Sequence, residues 1–164
     1  MAIVYRKLTA VDAPTYRAIR LESLRLYPQN FGASYEQQKE LPRLHMEAVL
    51  EAGGENGRFV MGAFDDDQLV SICAFIPYAP ADKPPRGDGM IIQVYVKAAY
   101  SGQKVGLGLM QAMICAAFQQ PGINEIILSV KQGNIPAIRV YKQAGFTPYE
   151  MDEDEQFMFI QRDG

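Results

Sequence analysis

Apolar residues along this chain follow two rhythms, period two and period three to four, and the switches between them mark out its elements. Ile3 to Leu8 alternates as a strand would. Asp12 and Pro14 then open a stretch with Tyr16, Ile19, Leu24 and Tyr27 at helical spacing, which Pro28 closes. Residues 30–34 read as a loop, and Ser34 stands where it can cap a helix from Tyr35 that is interrupted near Pro42 and ends about Gly53-Gly54. Two strands follow at Arg58 to Phe64 and Leu69 to Ile76, around the turn Asp65-Asp66-Asp67-Gln68. Pro77 to Gly89 predicts a long loop, open to function or to disorder. Beyond it come a strand at Ile91 to Val96, a helix at Val105 to Phe118, a strand at Ile126 to Val130 and a short helix behind Asn134. Phe146 to Met151 and Gln156 to Gln161 read as a final pair of strands around an acidic turn. The order is strand, two helices, three strands, helix, strand, helix, two strands, with no repeat or linker, and it predicts a single domain over residues 1–164.

The densest local signal is Asn134-Ile-Pro-Ala137-Ile-Arg-Val-Tyr141-Lys-Gln-Ala-Gly145-Phe146. Asn134 is suited to an N-cap, Pro136 to the first turn and Gly145 to a left-handed C-cap, which gives a helix of about three turns. Ala137 and Tyr141 are four residues apart and share a face, with Ile138 and Val140 to complete a buried stripe. By spacing alone, Ala137 is a close-packing residue and Tyr141 an ordinary core aromatic.

The segment resembles the last motif of the GCN5-related N-acetyltransferases, the GNAT family, which runs Asn-x-x-Ala-x-x-x-Tyr-x-x-x-Gly-Phe. A second similarity lies upstream, where strand, loop and helix from Ile91 to Phe118 resemble the family's acetyl-CoA-binding unit. Its pattern is Val-x-Pro-x-x-(Arg/Gln)-Gly-x-Gly-x-(Gly/Ala). Without a gap, Ala98 falls at the Pro, Ser101 at the Arg/Gln and Lys104 at the second Gly, while Gly102 and Gly106 keep their places. A second register reads Gln103-Lys-Val-Gly106-Leu-Gly108 as the core and needs a longer loop; the ungapped one is preferred. A lysine at 104 must either avoid a positive φ or carry strain, and its ammonium would lie near phosphates.

The resemblance implies an α/β fold with a mixed, mostly antiparallel sheet of six or seven strands, a splayed parallel pair and helices on both faces. It implies that the pantetheine arm of acetyl-CoA adds to the strand at Val94, Tyr95 and Val96. The pyrophosphate would meet the helix start at Gly102, Gln103, Lys104, Val105, Gly106 and Leu107, where unpaired N–H groups and the helix dipole favour an anion. Asn134, Ala137 and Tyr141 would complete the cofactor site. Catalysis would be direct transfer of an acetyl group to a neutral amine, with Tyr141 protonating the leaving thiolate and a backbone N–H of the strand holding the oxyanion. The family commonly places an acidic base on the cofactor strand; this chain has Gln93, which takes no proton at neutral pH. Glu22 and Glu36, on the N-terminal helices, are the substitutes.

Composition narrows the field without naming a substrate. With 164 residues, 48% hydrophobic and 21% charged, the chain can bury a sizeable core. A net charge of −3 argues against a nucleic-acid surface, and no apolar run reaches membrane-spanning length or forms a signal peptide. Cys73, in an apolar strand, and Cys115, in an apolar helix, read as buried thiols in a reducing cytoplasm. His45 has no Cys or His neighbours that would make it a ligand, so no metal site is expected. Nucleoside triphosphate and dinucleotide motifs are missing. The expected partners are acetyl-CoA and a small amine or peptide acceptor, with Glu22, Glu36 and Glu40 suited to a cationic amine and C-terminal edge strands to a homodimer. A catalytically inactive CoA-binding sensor of the same fold is the alternative, and an unrelated α/β binding module the third reading.

Overall fold

The computed structural model describes residues 2–163. Its strands are β1 (Ile3–Lys7), β2 (Phe59–Asp65), β3 (Gln68–Pro77), β4 (Gly89–Val96), β5 (Glu125–Lys131), β6 (Thr147–Met151) and β7 (Glu155–Gln161). Its helices are α1 (Ala13–Leu26), α2 (Tyr35–Gln38), α3 (His45–Glu51), α4 (Val105–Phe118) and α5 (Ile135–Ala144). The strands form one seven-stranded sheet in the order β1-β2-β3-β4-β5-β7-β6. All neighbours are antiparallel except β4 and β5, which run parallel.

Local chemistry sets the helix ends. The Asp12 carboxylate accepts the Thr9 N–H at 2.7 Å ahead of α1, and the Ser34 hydroxyl accepts the Gln37 N–H at 3.4 Å at the start of α2. The Glu47 carboxylate reaches back to the Leu44 N–H at 2.9 Å, so the broken arm expected around Pro42 restarts there as α3. Asn134 caps α5 through the Ala137 N–H at 3.4 Å, and Gly145 ends it in the left-handed conformation at φ 112°.

Two apolar clusters cover the two faces of the sheet. One joins α4 and α5 to β2–β5 and β7 through Phe75, Ile91, Leu109, Met113, Ile126, Tyr141 and Met158 among others. The other joins α1 and α3 to β2–β4 through Tyr16, Ile19, Val49, Val60, Ile72 and Tyr95. Cys73 is buried in the first cluster, but Cys115 is exposed, contrary to the sequence reading. Helix α4 is apolar nearly all round, so its sequence carries little sign of which face turns outward. The long loop before β4 is tied down rather than loose. Asp88 accepts the N–H groups of Asn124 and Glu125 at 2.9 Å each and pairs with Lys83, while Gly87 donates to Glu125.

Candidate functional site

The parallel pair is joined only at its beginning, Gly89 opposite Ile126 and Met90 opposite Ile127. From there β4 follows β3 as far as Val96, β5 follows β7 as far as Lys131, and the two diverge. Main-chain polar groups alternate sides along a strand. The Tyr95 carbonyl accepts the Ser71 hydroxyl at 2.8 Å and the Lys97 N–H donates to the Val70 carbonyl at 2.9 Å, both on the β3 side. Val94 and Val96 therefore turn their N–H and C=O groups into the split.

A bulge shapes this edge. Ile72 pairs with Tyr95 and Ala74 with Ile92, so Gln93 and Val94 together stand opposite Cys73. Gln93 takes φ 59°, a conformation costly for any residue but glycine or asparagine. Its carboxamide oxygen is held at 2.6 Å by the hydroxyl of Tyr16, a fully buried residue of α1. Val94 and Val96 pack toward α4 and α5, whereas Tyr95 turns toward α1. There its hydroxyl donates to Glu22 at 2.7 Å, and Lys97 lies 3.7 Å from the same carboxylate. Burial first, and then that carboxylate, push the Tyr95 hydroxyl above the ordinary phenol range, so it stays protonated and donating.

Beyond β4 the chain turns into α4 through two left-handed residues, Gly102 at φ 77° and Lys104 at φ 63°. The first main-chain bond of the helix runs from the Gly108 N–H to the Lys104 carbonyl, at 3.1 Å. The N–H groups of Val105, Gly106 and Leu107 have no carbonyl one turn back and point out of the helix end. A Cβ on Gly106 would stand 3.4 Å from Val96, so the first turn of α4 sits close to the end of β4. Of the two options open to Lys104, it takes the positive φ. Gly108 has another cause: a Cβ there would come within 2.2 Å of the Tyr5 hydroxyl, so it is a packing glycine inside the helix.

Tyr141 closes the far side. It is 5% exposed and belongs to the cluster that holds Ile91 of β4 and Val130 of β5, and its ring meets Phe146 edge-on at 6.3 Å. Its hydroxyl has no hydrogen-bond partner among the described residues. Burial first, and then the Cys73 thiol, push it above the ordinary phenol value. At neutral pH it is a proton donor with its proton uncommitted. Asn134 and Ala137 are engaged with each other in the α5 cap.

The second carboxylate expected near the site is elsewhere. Glu36 is 74% exposed and pairs with Lys39 at 2.8 Å on the outside of α2, whereas Glu22 is joined to β4. Tyr16 and Arg20, both buried on α1, were not singled out by the sequence; their pattern is that of any amphipathic helix. Among the described residues no cluster of His, Cys, Asp or Glu could hold a metal ion, and no helix is long and apolar enough to cross a membrane.

A mixed sheet that splits between its parallel strands, with an open helix start beside the free edge and a buried phenol across from it, defines an acyl-transfer scaffold. The chain belongs to the Acetyltransferase (GNAT) family, whose model matches residues 16–146. A GNAT-family acetyltransferase from Streptococcus pneumoniae has the same fold, with a TM-score of 0.78 at 18% identity over 98% of this chain and 100% of its own. The PaiA N-acetyltransferase from Thermoplasma acidophilum, solved in complex with coenzyme A, gives 0.74 at 21% identity over 99% and 100%. YncA from Salmonella typhimurium, solved with its cofactor acetyl-CoA, gives 0.76 at 18% identity over 99% and 95%. No curated protein matches the chain in sequence.

Proposed function

We propose that this protein transfers the acetyl group of acetyl-CoA to the primary amine of a small molecule or peptide in the cytoplasm, without a metal. The observation that carries this reading is the free main-chain edge at Val94 and Val96, which runs toward the open first turn of α4. An extended arm ending in a pyrophosphate matches both: strand-like hydrogen bonds for the arm, unpaired N–H groups and a helix dipole for the anion. The Lys104 ammonium adds a positive charge at that helix start.

Acetyl-CoA, when bound, supplies an activated thioester. The protein's part is to orient the amine, remove its proton and return a proton to the departing sulfur. Tyr141 is suited to the last task because its hydroxyl is protonated, belongs to a buried residue and has no hydrogen-bond partner among the described residues. A main-chain N–H of residues 94–96 is suited to the negative charge that develops on the carbonyl oxygen, a contribution usually worth about 3 kcal/mol. Glu22 is the preferred proton acceptor, directly or through water, because it is linked to β4; Glu36 is tied to Lys39 away from the split.

A second reading, a CoA-binding sensor without catalysis, is favoured by one observation. The bulge position holds Gln93, and its carboxamide is already engaged by Tyr16. Two measurements separate the readings. Acetyl-CoA at about 100 times its Kd should stabilise the protein by roughly 2.7 kcal/mol in thermal unfolding. Amine-dependent release of CoA then indicates an enzyme, and a shift without release a sensor. A folded protein that shows no shift would refute both.

A further inference from the structure

Two charged side chains, Arg20 at 7% exposure and Glu47 at 6%, are buried among the described residues, and they are treated differently. Glu47 is compensated: Arg17 lies 2.8 Å from its carboxylate, and the Leu44 N–H donates to it at 2.9 Å. Arg20 has no carboxylate within ion-pair distance among the described residues. One of its terminal nitrogens has a long contact with the Ser23 hydroxyl at 3.4 Å, and that hydroxyl gives its own proton to the Arg20 carbonyl at 2.6 Å. The guanidinium carbon stands 4.9 Å from the centre of the Phe31 ring. A guanidinium has five N–H donors, so most of this one's capacity is unused.

Those donors are not sealed away. Gln156 Oε1 is the unpartnered side-chain polar atom cut off from solvent among the described residues, and no nitrogen of Arg20 shares that condition. The guanidinium is thus a largely buried cation whose unused donors are not wholly cut off from solvent. Arg20 follows Tyr16 by four residues on α1, about 6 Å along the helix axis. Tyr16 is the residue that touches the bulged Gln93 where the strands begin to part. A buried charge without a counter-ion is costly to hold, and a planar fork of donors is matched by a carboxylate.

We propose that Arg20 binds a carboxylate carried by the acceptor, so that the preferred acceptors are amines that also bear a carboxylate, such as amino acids. This rests on the acetyltransferase reading and deepens it by naming the substrate class. The competing account is structural: Arg20 covers Phe31 as a cation over a ring, its stem packs along α1, and no anion is recognised.

The test uses the full chain with saturating CoA and titrates α-, β- and γ-amino carboxylates, each beside its own carboxamide, by calorimetry. Turnover is not needed. At least one carboxylate should bind about tenfold or more tightly than its carboxamide, the range of a hydrogen bond to a charged group. That preference should vanish in Arg20→Met, which keeps volume and loses charge, and fall in Arg20→Lys, which keeps charge and loses the fork. The thermal shift produced by CoA should be equal in all three proteins. Equal binding of acids and carboxamides by the native protein, binding of none of them, or a preference that survives in Arg20→Met would overturn the proposal. If the methionine variant does not fold, the lysine variant carries the same decision. Failure of the acetyltransferase reading shows separately, as a folded native protein with no CoA shift.

Discussion

The two walls of the split are built of different materials. On the side of α4 and α5 the groups that face the opening are mostly main-chain: the edge of β4 at Val94 and Val96, and the N–H groups of Val105, Gly106 and Leu107. On the side of α1 they are side chains joined across long stretches of sequence, Tyr16 to Gln93 over 77 positions and Tyr95 to Glu22 over 73. A wall of backbone needs only a conformation, which a few glycines, a cap and a strand are enough to set. A wall of side chains needs particular partners, and its chemistry changes with each substitution. Cofactor recognition and acceptor choice are therefore expected to fail separately.

The largest effect should come from Tyr141, the proposed proton donor on the backbone wall. Tyr141→Phe keeps the buried ring and removes the hydroxyl, so kcat should fall about 100-fold or more. The CoA-induced thermal shift should be unchanged, because the ring keeps its place in the apolar cluster and against Phe146. An unchanged kcat would move the proton donor elsewhere and break the distinction between binding by backbone and chemistry by side chain.

Next is the point where β4 and β5 are still joined. Asp88 holds the N–H groups of Asn124 and Glu125 beside Gly89, the start of the parallel pair. Burial pushes its carboxyl up, but the Lys83 ammonium and those two N–H groups outweigh burial and hold it below the ordinary value of 3.8. A depressed carboxyl contributes stability that is present above its unfolded value and lost as pH falls through the folded one. Asp88→Asn should cost about 1–3 kcal/mol at pH 7, a fall in Tm of about 2–4 °C per kcal/mol for a chain of this size. Its stability should also decline less steeply than that of the native protein below about pH 4. Urea unfolding at pH 7 and pH 3 reads both. Parallel curves for the two proteins would remove Asp88 as the pin of the split.

The same contrast explains what was legible in the sequence. Helix α4 and the cap, Pro and Gly of α5 are set by local signals, so their positions could be read to within a residue. The splayed strands and the helix start followed from the family resemblance, and the ungapped register agrees with a helix that begins at Val105. Lys104 stands out in the sequence as a departure from the family pattern, but only the fold sets which of its two options it takes. The acceptor wall was not legible. Nothing local tells Glu22 from Glu36, and only the fold brings one to Tyr95 and leaves the other with Lys39. Arg20 sits in an ordinary amphipathic stripe, and only three dimensions show that no carboxylate among the described residues pairs with it. The apolar surround of Cys115 misled for a related reason, since a helix apolar all round hides its outer face.

A smaller effect distinguishes two kinds of glycine on α4. Gly108→Ala places a methyl group 2.2 Å from the Tyr5 hydroxyl, the movable tip of a partly buried side chain. The gain in helix propensity, about 1 kcal/mol, offsets part of the crowding, which leaves a net loss of about 1 kcal/mol. In a Tyr5→Ala background the same change should be neutral or stabilising. Affinity for CoA should not move in either background. A loss of CoA affinity would return Gly108 to the phosphate loop and revive the longer register.

The smallest and most discriminating change is Lys104→Gly. Lys104 is unfavourable twice in the free protein: it holds a left-handed conformation at φ 63°, which costs an L-residue about 1 kcal/mol, and it puts a cation at the positive end of a helix. Glycine relieves both but has more freedom to lose from the unfolded chain, so the net gain should be below about 1 kcal/mol. Affinity for CoA should move the other way, falling about threefold at low salt and converging with the native protein near 1 M salt, where the Debye length is about 3 Å. Opposite movements would mean that on the backbone wall a charge has been placed where the family pattern has conformational ease, with the bound anion relieving what the free protein bears. If CoA instead binds more tightly to the glycine variant, Lys104 obstructs the loop, and the sensor reading loses the charge that would favour retention of the cofactor.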